Sequence, residues 1–370
     1  MERFSDLLHG KFGFGCMRMQ LDANGEVDLD NFRKMVDCYM NAGFNYFDTA
    51  HVYYDGKSEL ALKDGLTSRY PRESYVLTNK LTSSCFETEA DILPLFEKQL
   101  DMCGVEYFDF YLIHAVQQGN YQKYTDCNAF GIVQKLKAEG KVKHVGMSFH
   151  DSPEFLDRIL TEHPEIEIVQ IQYNYLDLDD ENVQSQGCMD MCKKHDRPVL
   201  VMEPIKGGGL VFLPDAALEK LNALNEGSPA EIALRFVAEQ EPVVMILSGM
   251  ATLEQVRENV AFMKDPKPLT PAAHQAIDEV RKMMRALPLV ACTSCRYCTE
   301  GCPMQINIPG VFRCVNDKIK FPNRPMSRYG WATSKGGKAS ECIECGQCED
   351  ICPQHLPIRD LLRQAAAQFE

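Results

Sequence analysis

Two copies of one cysteine pattern fix what the C-terminal segment of this 370-residue chain can become. Cys292, Cys295, Cys298 and Cys302 precede Pro303, and Cys342, Cys345, Cys348 and Cys352 precede Pro353, so each copy reads C-x2-C-x2-C-x3-C-P. In this spacing three thiolates wrap one corner of a four-iron cube, while the fourth, held off by the proline, reaches the other cube of a pair. The pattern predicts two 4Fe–4S clusters. One takes Cys292, Cys295, Cys298 and Cys352, the other Cys342, Cys345, Cys348 and Cys302. A zinc ribbon or a disulfide framework is the plainer alternative, but zinc sites pair two short C-x-x-C arms and do not repeat a four-cysteine run ending in proline.

Residues 288 to 356 resemble the ferredoxin family, which implies a small α+β fold. The chain is too long for that fold alone and suits one large domain, residues 1–287, followed by a small one, residues 288–370. Hydrophobic residues make up 45% of the composition, and no apolar run is long enough to span a bilayer, so a sizeable core and no membrane association are expected. The start, MERFSDLLHGKFGFG, lacks the basic and apolar stretches of an export signal, and many unpaired thiols suit a reducing compartment; a cytoplasmic location is expected.

Net charge is −14, which argues against nucleic acid as a partner. Residues 288–370 hold ten Lys and Arg against eight Asp and Glu, which leaves −16 for residues 1–287. Between the cysteine runs stand Lys318, Lys320, Arg324, Arg328, Lys335 and Lys338. Their first reading is an offset to the negative charge of thiolate-ligated clusters; the second is a dock for an acidic redox protein.

Upstream, short runs rich in Val, Ile, Phe and Tyr alternate with longer segments of helical period, the signature of βα units around a parallel sheet. Strands are predicted near residues 12–16, 44–47, 75–78, 108–113, 142–147, 168–172, 199–202 and 243–247. Helices are predicted over 29–42, 59–68, 89–103, 129–139, 153–160, 181–195 and 229–239. Eight such units in roughly 260 residues predict a (β/α)8 TIM barrel, with a doubly wound sheet as the alternative.

Active-site groups of a barrel gather at the C-terminal ends of its strands. Asp48 closes the second strand with Tyr53 in the following loop, Lys80 closes the third, and His114 closes the fourth. Taken singly, each has an ordinary structural explanation. Together they form a chemical unit: the Lys80 ammonium is expected to stabilise the Tyr53 phenolate and lower its pKa, Asp48 to hold Lys80, and His114 to orient a carbonyl by hydrogen bonding.

Residues 1 to about 265 are similar to the aldo-keto reductase family. The marks are Phe47-Asp-Thr-Ala50 with Tyr53 five residues past Asp48, Gly56-Lys-Ser-Glu59, Thr78-Asn-Lys80, Asp109-Phe-Tyr-Leu-Ile-His114, Gly140-Lys-Val-Lys-His-Val-Gly-Met-Ser148 and Val169-Gln-Ile-Gln-Tyr173. The resemblance implies a (β/α)8 barrel, an NAD(P)-dependent reduction of a small-molecule carbonyl, and a tetrad at Asp48, Tyr53, Lys80 and His114. It also implies a nicotinamide cofactor, NADP preferred over NAD. Ser148 and Gln170 match positions that hold the carboxamide, and Gln255, Glu258 and Asn259 match the adenine-binding helix start. The glycine-rich loops at Lys206-Gly207 and Ser248-Gly249 agree with phosphate binding through backbone N–H groups. Departures from the family pattern are Phe149 where asparagine is usual, and Met202 and Glu203 where an aromatic and a small polar residue are common.

A nicotinamide moves two electrons as a hydride, whereas each cube exchanges one, and a flavin is the usual bridge. The alternatives are therefore a ferredoxin-linked, flavin-bridged oxidoreductase, or a non-catalytic sensor of nicotinamide redox state. The stretch from Ile358 to Phe369 has helical composition and is expected to pack on the barrel or to support a dimer.

Overall fold

The computed structural model describes residues 4, 6–22, 24–325 and 327–370. The chain divides into two compact units: residues up to Gly207 together with Ala230–Pro271, and Gly208–Pro229 together with Ala272–Glu370.

The first unit is a closed barrel of eight parallel strands, each hydrogen-bonded to the next and the last to the first. They are β1 (Phe12–Gly15), β2 (Tyr46–Asp48), β3 (Val76–Leu81), β4 (Phe108–Val116), β5 (Val142–Phe149), β6 (Ile168–Gln172), β7 (Val199–Met202) and β8 (Val243–Ser248). Runs such as Val-Val-Met-Ile-Leu in β8 are apolar at consecutive positions because a parallel strand here is covered on both faces. The floor of the barrel is plugged by Phe4 and Leu8 against Tyr46, Phe110, Leu112, Ile168 and Met245. Gly13 and Gly146 make room for this layer, since a side chain at either would run into Leu247 and Met245, or into Leu112 and Ile168.

The helices of this unit are α1 (Leu29–Asn41), α2 (Lys57–Leu62), α3 (Glu89–Cys103), α4 (Gln118–Asp126), α5 (Ala129–Ala138), α6 (Pro153–Glu162) and α7 (Ser185–Lys194). After α8 (Asp215–Asn222), which belongs to the second unit, come α9 (Pro229–Ala238) and α10 (Leu253–Met263). Local sequence sets their ends: Thr88 and Asp91 form a capping box for α3, and Gly104 leaves it in the left-handed region at φ 66°. Ser152 caps α6 with Pro153 in its first turn. Two helices differ from expectation. The one foreseen from residue 59 gives way to a π-helical turn over Lys63–Thr67, where Gly65 lies against the Phe32 ring. The one foreseen from residue 181 starts at Ser185, because Gln184 sits at φ 46°, outside helical geometry.

The second unit contains α11 (Pro271–Arg285), α12 (Tyr297–Glu300), α13 (Ile308–Lys320), α14 (Tyr329–Ala332), α15 (Gln347–Asp350) and α16 (Ile358–Phe369). Where an α+β segment was expected, the described residues of 288–370 hold helices and loops and no strand. The cysteine runs account for this: each spends its residues on turns such as Arg296 and Gly346, both at positive φ, and then on a one-turn helix. Helix α16 lays Ile358, Leu362 and Ala365 into the core of this unit, beside Val311, Phe312 and Val315 of α13.

Candidate active site and cluster-binding cavities

Three adjacent strand ends and one loop bring four side chains together. The Lys80 ammonium is fully buried and donates to Asp48 Oδ1 at 2.6 Å, to the Thr49 carbonyl at 2.8 Å and to the Tyr53 hydroxyl at 3.2 Å. His114 stands over the edge of the Tyr53 ring, centroids 6.0 Å apart. Tyr53 is presented by a 3-10 turn, Tyr53–Gly56, in which Tyr54 and Asp55 take left-handed dihedrals. That turn is pinned from below, because Ser58 bridges the Thr49 hydroxyl at 2.7 Å and the Cys16 carbonyl at 2.9 Å. The neighbouring Tyr54 hydroxyl is spent on the backbone of Met19.

The electrostatics depart from expectation at Tyr53. Burial pushes its hydroxyl above the ordinary tyrosine pKa; Lys80 pulls it down and Asp48 pushes it up again, and the net direction is upward. The ammonium therefore moderates the rise without reversing it. For Lys80, burial opposes the charge, yet Asp48 and Tyr53 outweigh it and hold the pKa above the usual lysine value. His114 falls well below the ordinary histidine value, first through burial and then through Lys80 and His150. It is neutral at physiological pH.

Residues absent from the sequence-based set support this cluster. Thr82 Oγ1 lies 2.6 Å from His114 Nδ1 and fixes the ring. Glu59, wholly buried, accepts from Asn79 Nδ2 at 2.7 Å and lies 2.6 Å from His51 Nδ1. The sequence signal for Glu59 was the Gly56-Lys-Ser-Glu59 run itself; Thr82, just past the end of β3, carried none.

Of the residues matched to a nicotinamide, Ser148 and Gln170 face each other across β5 and β6 and are both buried. Gln170 donates to Asp48 Oδ2 at 3.1 Å, and Ser148 Oγ accepts from the Ala115 amide at 2.6 Å. Both therefore adjoin the tetrad, and their amide and hydroxyl groups fit a carboxamide. Asn259 is buried and donates to Ser248 Oγ at 3.3 Å, beside Gly249. Gln255 instead closes a capping box on α10, accepting from the Ala251 amide at 2.8 Å, and Glu258 is exposed on the same helix. Lys206 is ion-paired to buried Asp177 next to Gly207. Of the departures, Phe149 is buried near the Phe155 ring, and Glu203 accepts from Gln172 Nε2 at 3.1 Å.

In the second unit the eight cysteines line two cavities that open to solvent. The first is lined by Cys342, Cys345, Cys348 and Cys302; the second by Cys292, Cys295, Cys298 and Cys352. Each run thus supplies three sulfurs to its own cavity and one to the other. Soft thiolates around a cavity of this kind fit an iron–sulfur cube. Cys314 is buried in the core of this unit and lines neither cavity.

An eight-stranded parallel barrel with buried Lys80 and Asp48 and half-buried Tyr53 and His114 gathered at one end has the architecture of a barrel oxidoreductase. Residues 11–282 match the model of the aldo/keto reductase family, and residues 291–356 match that of a 4Fe-4S dicluster domain. The chain belongs to the aldo/keto reductase family and is an oxidoreductase with a C-terminal 4Fe-4S dicluster domain. It is 25% identical over 307 residues to an NADH-specific methylglyoxal reductase of Escherichia coli, covering 70% of this chain and 91% of the relative. It is also 25% identical over 302 residues to dihydrodiol dehydrogenase 3 of Bos taurus, covering 74% and 88%. Its fold is similar to that of an aldo-keto reductase from Klebsiella pneumoniae in complex with NADPH, with a TM-score of 0.60, 21% identity and coverage of 73% and 90%. A glycerol dehydrogenase from Gluconobacter oxydans gives a TM-score of 0.59, 22% identity and coverage of 76% and 94%. Among the described residues no helix is long and apolar enough to cross a membrane.

Proposed function

We propose that the barrel reduces an aldehyde or ketone with NAD(P)H, with Tyr53 giving the proton. The observation that carries this reading is the contact of the Tyr53 hydroxyl with a fully buried ammonium at 3.2 Å. Reduced nicotinamide, when bound, supplies the hydride that goes to the carbonyl carbon. Ser148 and Gln170 would hold its carboxamide, and the backbone around Lys206-Gly207 and Ser248-Gly249 its phosphates. The proton comes from Tyr53 Oη as the carbonyl oxygen gains charge, and Lys80 stabilises the phenolate left behind. His114 Nδ1 lies 2.6 Å from Thr82 Oγ1; with that hydroxyl as donor, Nε2–H would be left to direct a hydrogen bond at the carbonyl oxygen, orienting it without giving up its proton. Asp48 holds the ammonium in place.

The relatives' names support NADH and NADPH alike, and a sparse set of basic residues after β8 leaves NADP a modest preference. We retain residues 1–287 and 288–370 as the two functional domains, the second holding cubes on the crossed cysteine sets, and a cytoplasmic location. Tyr53→Phe removes one oxygen without opening a cavity. Its expected outcome is loss of carbonyl reduction by about a hundredfold or more, while titration with NAD(P)H follows the wild-type curve. Undiminished turnover sinks the reading.

A further inference from the structure

We propose that the face of the second unit carrying Arg328, Trp331, Lys335 and Lys338 docks an acidic one-electron carrier protein and passes electrons between it and the clusters. The proposal rests on the presence of the two cubes. Residues 318 to 340 contain six basic residues and no acidic one, in a chain of net charge −14. If those cations served only to offset the clusters, they would face the cavities. None lines either cavity; the cations that do are Arg296 and Arg359. Arg328, Lys335 and Lys338 are exposed instead. The ion pairs of the cluster segment join Arg359 to Glu349 and Arg363 to Glu344 and Asp360; among the described residues no ion pair engages these three, and Lys338 acts at longer range on Glu370.

Among them stands the chain's one tryptophan, Trp331, 79% exposed. An exposed tryptophan flanked in sequence by exposed cations is costly to keep wet and is the residue type that most often anchors a protein interface. It sits on a rigid platform. Its neighbours Tyr329 and Ala332 are buried, Tyr329 stacks on Phe369 with centroids 4.9 Å apart, and the Tyr329 hydroxyl accepts from the Ala339 amide at 2.9 Å.

The segment that carries the platform backs onto residues that line a cluster cavity. The Gly337 amide donates to the Met304 carbonyl at 3.1 Å, and Met304 lines the cavity of Cys302, Cys342, Cys345 and Cys348. Gly336 and Gly337 permit this approach, since a side chain at either would strike the carbonyls of Gln305 or Met304. Lys335 and Lys338 flank that contact. On the other side Asn307 Nδ2 donates to the Ala332 carbonyl at 3.2 Å, next to Ile308, which borders both cavities. A carrier seated on Trp331 is thus joined to the cluster wall through two backbone contacts of the tryptophan's own segment. In the transfer, the reduced carrier loses one electron and an oxidised cube gains it; no bond forms and no proton moves.

The test uses the full-length protein purified anaerobically, with iron content and visible spectrum recorded first. The probe is an acidic plant-type [2Fe–2S] ferredoxin, chemically reduced and mixed in a stopped-flow cell, with its affinity in the oxidised state measured by calorimetry. Cluster reduction is expected to slow steeply with added salt, and the triple charge reversal Arg328→Glu, Lys335→Glu, Lys338→Glu to slow it and weaken binding by about tenfold or more. Trp331→Ala is expected to weaken binding with little change in salt dependence, at unchanged iron content and NAD(P)H-dependent turnover. Rates and affinities within about twofold of wild type in both variants would overturn the dock, as would faster reaction with a basic cytochrome c or tighter binding to phosphatidylserine vesicles than to the ferredoxin. A protein without cluster absorbance would overturn the cubes themselves, and the dock with them.

Discussion

Lys80→Met tests the centre of the proposed mechanism, because it keeps an unbranched apolar stem of nearly the same reach and removes the ammonium. In the native protein that group is fully buried and makes three contacts, at 2.6 Å to Asp48, 2.8 Å to the Thr49 carbonyl and 3.2 Å to Tyr53. Without it, Asp48 retains the Gln170 amide at 3.1 Å and remains a buried carboxylate with no cation. Removing one partner of a buried pair costs about 3–5 kcal/mol. For a domain of this size each kcal/mol moves the melting midpoint by about 2–4 °C, so a fall of roughly 6–20 °C is expected. Turnover should drop by about 10²–10⁴, since the acid loses the charge that stabilises its phenolate. The two effects separate in the double variant Asp48→Asn, Lys80→Met, where neither charge is buried: most of the midpoint should return while activity stays low. Calorimetry and steady-state NAD(P)H-dependent carbonyl reduction supply the readouts. Recovery of turnover in the double variant, or a single variant with an unmoved midpoint and less than about tenfold loss of rate, would refute the reasoning.

Two further outcomes follow from the geometry. Because burial raises the Tyr53 pKa and lowers that of His114, both groups hold their working protonation states across neutral pH. The kcat profile for reduction should therefore be flat from about pH 7 to 9, with no inflection near the ordinary histidine value, and fall only in the alkaline range; a step near pH 6.5 would contradict it. For the clusters, Cys302→Ala with Cys345→Ala removes two sulfurs from one cavity and should leave about four irons, whereas Cys302→Ala with Cys295→Ala strikes both cavities and should leave about none. Equal iron content in the two double variants would rule out the crossed arrangement.

What could be read from the chain, and what could not, divides along physical lines. Strand ends were legible because Asp48, Lys80 and His114 each place a titratable group near the C-terminal end of a largely apolar strand, and the closed barrel itself followed from eightfold alternation. The crossed distribution of cysteines was legible because proline after the fourth cysteine dictates which cavity that sulfur can reach. The net direction of the Tyr53 pKa was not, since it depends on how burial weighs against a cation, and burial is set by residues far apart in sequence. The same holds for Gln255, whose match to an adenine contact carried no hint that Thr252 would recruit it into a capping box, and for Lys206, whose ammonium is taken by Asp177 from another loop.

The basic stretch between the cysteine runs shows the point most sharply. As sequence, six cations near two anionic clusters read as charge compensation. Only side-chain placement tells compensation from recognition, because the compensating cations must reach the cavities. Here Arg296 and Arg359 do so, while Arg328, Lys335 and Lys338 face solvent around an exposed tryptophan. A charge held in no ion pair beside an uncovered aromatic ring is an arrangement whose desolvation is favourable only against a complementary surface.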